Sequence, residues 1–181
     1  MVSIMITFRI DICPVPKAAP RASVQGGRAR VRKAASTRRY EDAVSASIRA
    51  LFAGIDPALR ARFNELAGVF AVDFGFFLPR PKSRPDWCGR EAWIQRWVFA
   101  GSKPDWDNYV KSAQDALATA LDGVSDDARF VLGQSVKLLC PAGVDPCLVV
   151  RVRPAPPTDA LPLWVERLID TAEEGGAWCR G

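Results

Sequence analysis

The residues best suited to chemistry are Asp105-Trp106-Asp107-Asn108, introduced by Lys103-Pro104 and followed by Lys111, Asp115 and the doublet Asp126-Asp127. Five carboxylates fall in this short span, and at least four of them could meet around one divalent ion. Gathered without a cation they would repel, by roughly 4 kcal/mol for two unit charges about 4 Å apart at an effective dielectric near 20. The chain holds no histidine and no paired-cysteine motif. Oxygen-only donors therefore point to a hard cation, Mg²⁺ or Mn²⁺, rather than to zinc. Metal-assisted phosphoryl chemistry is the reaction such a cluster suits.

Each of these residues also has a plainer reading. Aspartates at a helix start serve as N-caps and complement the helix dipole, each worth about 1 kcal/mol or less, and Asp126-Asp127 alone could be a solvated turn. One cap needs one side chain, however, and here a pair at the helix start is joined by a second doublet at the start of the next element, so the excess carboxylates favour a metal. Lys111 could be a surface partner of Asp107 or Asp115 worth a few tenths of a kcal/mol; a cation on the same face as metal ligands also suits a scissile phosphate and the charge developing on it. Asp115 reads as structural rather than ligating, because Ala116 and Leu117 beside it belong to an apolar stripe. Trp106 reads as a brace pointing into the core, with stacking on a base as the lesser alternative.

The elements that must carry these residues follow from periodicity. Val110, Ala113, Ala116, Leu117, Ala120 and Leu121 recur at helical steps, with a stop signalled by Gly123. On that helix Asp107, Lys111 and Asp115 share one face. A first strand covers Ile4 to Ile10, ended by Pro14 and Pro16. Tyr40, Val44, Ile48, Leu51 and Phe52 predict an amphipathic helix over 37–53, capped by Ser36 or Thr37. A helical turn over 57–64 and an apolar strand over 67–78 come next, and residues 80–100 mix Arg, Lys, Pro and Trp with little period, as a long connection beside a site does. Residues 130–139 and 147–153 read as a closing pair of strands, with 141–146 as their turn. Pro154-Ala155-Pro156-Pro157 marks a linker to one terminal helix ending near Gly175-Gly176.

At 181 residues the chain suits one compact domain, and its net charge of +5 hints at an anionic partner. The distribution says more: Lys17, Arg21, Arg28, Arg30, Arg32, Lys33, Arg38 and Arg39 follow one another with no acidic residue among them, in a stretch that reads as a loop ordered by its partner. The segment after Pro157 leans acidic and reads as standing away from a polyanion. Five cysteines without ligand spacing fit reduced thiols in a cytoplasmic protein, and nothing indicates secretion or membrane insertion.

Lys103-Pro104-Asp105-Trp106-Asp107-Asn108, Lys111, Asp115-Ala116-Leu117 and Asp126-Asp127-Ala128 together resemble the signature of the RusA-type Holliday junction resolvases, crossover junction endodeoxyribonucleases common in bacteria and their phages. The likeness runs more weakly through the first strand, Pro14-Val15-Pro16-Lys17 and Lys137, over about residues 4–153. The resemblance implies an α+β fold, a small mixed sheet against two main helices, over residues 1–153. The linker and helical tail of 154–181 look like an addition, and the connection over 79–102 is longer and richer in tryptophan than in compact members. It further implies a homodimer that binds four-way DNA junctions in recombination and repair and nicks opposing strands with Mg²⁺ or Mn²⁺. Asp105, Asp107 and Asp127 match the family's essential acidic positions, Lys111 its essential lysine, and Asp126 the other half of the doublet. Lys103 and the basic residues from Lys17 to Arg39 would contact DNA phosphates. The rivals are a non-catalytic nucleic-acid binder with a structural ion and a metal-dependent hydrolase of small phosphate esters.

Overall fold

The computed structural model describes residues 4–19, 21–25, 28–65, 68–121, 127–156 and 162; for 21–25, 28–32 and 127 it describes the backbone alone. The strands are β1 (Ile6–Ile10), β2 (Arg21–Gln25), β3 (Arg28–Arg32), β4 (Phe70–Leu78), β5 (Val98–Phe99), β6 (Phe130–Leu132), β7 (Ser135–Leu139) and β8 (Cys147–Pro154). The helices are α1 (Ala35–Ala53), α2 (Pro57–Asn64), α3 (Arg90–Gln95) and α4 (Trp106–Ala120), with a 3-10 turn over Asp127–Arg129.

Six strands form one mixed sheet, in the order β1-β8-β4-β7-β5 with β6 also on β4. This is the α+β arrangement expected. The strands over 130–139 and 147–153 do not pair with each other as a hairpin: β7 runs parallel to β4 on one side and β8 runs antiparallel to it on the other. The nine-residue β4, apolar enough to be buried on both flanks, takes the centre that a local turn would have denied it. β6 and β7 both run along β4, and the break between them passes Gly133, where an added Cβ would lie 1.8 Å from the carbonyl oxygen of Val72. Only glycine lets the two backbones approach so closely.

Alternation along β4 turns Phe70, Val72, Phe74, Phe76 and Leu78 toward the helices. Against them pack Tyr40, Val44 and Ile48 of α1 and Tyr109, Ala113, Ala116, Leu117 and Ala120 of α4. Small residues on α4 let the two helices lie close, and each large apolar side chain buried there contributes about 1.5–3 kcal/mol. Phe52, Phe63 and Phe70 extend this core, their ring centroids 5.5 and 5.4 Å apart. Among the described residues, the opposite sheet face carries no helix layer.

Three further expectations are corrected. The basic stretch is not a loop: β2 and β3 pair antiparallel, Arg21 with Arg32 through Gln25 with Arg28. The connection over 79–102 contains α3 and β5, which borders β7 and extends the sheet. It is fastened by the Arg80 guanidinium, which donates to the carbonyls of Cys140 and Arg96 and lies over the Trp93 ring. Neither Ser36 nor Thr37 caps α1; Ala34 holds that position without a side-chain bond, and the Thr37 hydroxyl accepts from the Ala18 amide instead. The Gly123 stop, Asp126, Cys179 and the terminal helix lie outside the described residues. The other four cysteines are free thiols.

Candidate active site

α4 delivers the acidic motif. Asp105 stands at its N-cap position with extended backbone (φ −64°, ψ 147°), yet its carboxylate accepts no capping bond. A side chain type that ordinarily caps here is thus left exposed and, among the described residues, without a hydrogen-bond partner. Lys137 of β7 shapes the turn before it: its Nζ donates to the carbonyl oxygens of Ser102 (2.7 Å) and Pro104 (2.8 Å) and lies 5.6 Å from the centre of the Tyr109 ring. Burial holds this ammonium below the usual lysine value, against the pull of the Asp105 charge. A cleft of about 600 Å³ opens at this place, bounded by Phe99, Lys103, Asp105, Trp106 and Lys137.

One turn along, Lys111 Nζ meets Asp107 Oδ2 at 2.8 Å, both half-exposed. That hydrogen bond, before any other influence, draws the Asp107 carboxyl below its ordinary value. The third member of the face is drawn elsewhere. Asp115 Oδ2 accepts from Lys17 Nζ (2.7 Å) and Lys33 Nζ (2.9 Å), and Lys33 also reaches Glu41 Oε2 of α1 at 2.7 Å. Burial pushes the Asp115 carboxyl up, but the two ammonium groups outweigh it and the net direction is down. Lys17 is further tied through its amide to the Asn108 carbonyl, 2.8 Å away. Asp115 therefore acts as an anchor between α4 and the basic segment.

Asp127 opens the 3-10 turn, which packs against α4 and leads into β6. Its side chain, and Asp126 entirely, are not described, and among the described residues no three carboxylates converge on one point. Trp106 departs from expectation. It is 48% exposed, not a core brace, because the buried stripe of α4 starts at Tyr109.

Residues 11–152, most of the chain and every element of this site, match the family model Endodeoxyribonuclease RusA. The chain belongs to the RusA endodeoxyribonuclease family. No curated protein matches it. RusA membership makes the chain a nuclease acting within DNA strands, in a family that resolves Holliday junctions.

Of the basic residues read as RusA-like DNA contacts, Arg38 and Arg39 stand exposed at the start of α1 and Lys103 at the rim of the cleft. Lys17 and Lys33 are held in ion pairs. Arg21, Arg28, Arg30 and Arg32 occupy the β2–β3 ribbon, where alternation and register assign all four positions to one face and Ala22, Val24, Ala29 and Val31 to the other. Glu41 and Phe99 were missed from the sequence: the first looked like one more charge on an amphipathic helix, the second like part of a shapeless connection. The period-two alternation of Arg28-Ala29-Arg30-Val31-Arg32 was a signal that could have found the ribbon. No helix of the described residues is long and apolar enough to cross a membrane.

Proposed function

We propose that this RusA-family nuclease is a metal-dependent, structure-selective endonuclease that resolves four-way DNA junctions by paired symmetric nicks. The observation that carries the reading is the Asp105 carboxylate, standing at a helix start without serving as a cap, two residues from Asp107 and beside a cleft lined by lysines. The donors at hand are carboxylate oxygens, which suits Mg²⁺ or Mn²⁺. Asp105, Asp107 and Asp127, with Asp126, would hold the ion. When bound, such an ion activates water and screens the leaving oxygen of a phosphodiester.

The protein's own groups supply the remainder. Lys111 carries its charge on the acidic face and would meet the scissile phosphate. Lys137 fixes the turn from which Asp105 projects. Arg38, Arg39, Lys103 and the ribbon's four arginines would bind backbone phosphates, giving affinity that falls with salt. A two-stranded ribbon also has the dimensions a major groove admits.

Symmetric nicking calls for two active sites, and the helix-free sheet face offers a surface for a second copy. It bears a groove of about 430 Å³ whose lining includes Met5, Gly75, Phe77, Val136 and Val149. A monomer in sedimentation equilibrium at micromolar concentration would remove the homodimer from this proposal.

The decisive experiment uses a synthetic four-way junction with Mg²⁺. Wild-type protein should nick it at symmetric positions, and Asp107→Asn should bind it without cutting. An Asp107→Asn variant that cuts at the wild-type rate contradicts the assignment.

A further inference from the structure

Two large aromatic side chains stand in the cleft where the core does not need them. In β5, Val98 is buried at 7% exposure while its neighbour Phe99 is left 71% exposed. Trp106, the first residue of α4, is 48% exposed and borders the same cleft. Other aromatic groups nearby have visible packing partners: Trp93 lies beneath the Arg80 guanidinium and Trp97 stands edge-on to Phe77 at 5.0 Å. Among the described residues, neither Phe99 nor Trp106 meets another ring or a cation.

The cleft pairs these rings with Lys103 and Lys137, and its volume of about 600 Å³ lies within the range of about 300–1,000 Å³ common for small-molecule sites. Flat apolar rings beside ammonium groups complement a unit having one flat apolar part and one anionic part. A nucleotide is such a unit. Bases stacked within a duplex hide their faces, so the occupant must be a base freed from its stack.

We infer that Phe99 and Trp106 form a stacking platform for an unstacked base next to the phosphate that is cut. This rests on the nuclease reading above and adds to it a means of selecting branched over continuous duplex DNA. At a branch, the loss of stacking has in part already been incurred, so the platform favours that position over uninterrupted helix. Phe99 and Trp106 would be positioning residues, acting through where the strand lies.

The test places 2-aminopurine at the nucleotides flanking the mapped nick in a four-way junction and reads its fluorescence in the Asp107→Asn background, where the DNA stays intact. Binding should brighten several-fold the probe whose stacked neighbour is withdrawn to the platform, whereas a probe held against the rings themselves stays quenched. Adding Phe99→Ala and Trp106→Ala together should abolish the rise, whereas Trp106→Phe should keep it. In the cutting-competent protein the double replacement should slow nicking of the junction by about five- to hundredfold, from the measured worth of base–aromatic stacking. The inference is overturned if the junction is nicked yet the probe stays dark at every flanking nucleotide, if the double variant still brightens it, or if light scattering shows that the double variant changes oligomeric state, making the patch a subunit contact. Wild-type protein that neither binds nor cuts the junction overturns the nuclease reading itself, an outcome distinct from these.

Discussion

Replacing Lys137 by methionine keeps most of the length of the side chain and removes its charge. Two hydrogen bonds to the carbonyls of Ser102 and Pro104 disappear, along with the ammonium over the Tyr109 ring. Hydrogen bonds from charged donors contribute about 1.5–3 kcal/mol each, but these carbonyls are open to water, so we discount the pair to about 1–2 kcal/mol in all. Global stability should change by about that amount, a fall in Tm of roughly 2–8 °C. Activity should suffer more. Both bonds fix the turn that ends at Asp105, and a misplacement of about 1 Å at a reacting centre can cost about a hundredfold. Single-turnover cleavage of a four-way junction should slow by about ten- to a hundredfold, and Lys137→Arg, which keeps donors and charge, should recover part of it. A Lys137→Met protein that cuts within about twofold of wild type would refute the claim that this lysine sets the position of Asp105.

Asp115→Asn should lower stability by about 1–2 kcal/mol in chemical denaturation, since its ammonium partners are only partly shielded. Because the Asp115 carboxyl lies below its ordinary value, its contribution is present above the unfolded value of about 4 and is lost as pH falls through the lower folded value; the variant's stability curve should flatten in that acid window, and an unchanged curve would contradict the pairing. Gly133→Ala should destabilise by about 3 kcal/mol or more in thermal unfolding, because its methyl group would collide with the Val72 carbonyl of the central strand. Replacing Arg28, Arg30 and Arg32 by alanine should reduce the dependence of log K on log salt by about 0.9 for every phosphate no longer neutralised, with little change in which sequence is bound; an unaltered slope would take the ribbon out of the DNA interface.

The helix bearing the acidic motif was legible because its apolar residues keep strict helical steps, and a buried stripe leaves little choice of face. The first strand and α1 were legible for the same reason. Sheet order was not: the apolar character of β4 and β8 says that both are buried, while the parallel placement of β7 depends on contacts between residues far apart in sequence. β5 has only two residues, too few to show any period. The arginines of β2 and β3 masked an alternation because their positive charge spoke for disorder more loudly than their spacing spoke for a strand. At the site, spacing identified Asp105, Asp107 and Lys111 on one helix start, but it could not show that Lys17 and Lys33 reach across to Asp115, since nothing local joins residue 17 to residue 115.

That reach has a thermodynamic consequence. Lys17 and Lys33 flank the ribbon on its two sides in sequence, and both terminate on a single oxygen of Asp115. The arm is closed at its base like a ring, so much of the chain entropy that a free basic arm would surrender on meeting a duplex has been surrendered during folding. Were the ribbon to grip DNA as proposed, association would lose less to ordering, and protonating Asp115 would restore the arm's freedom and weaken that grip.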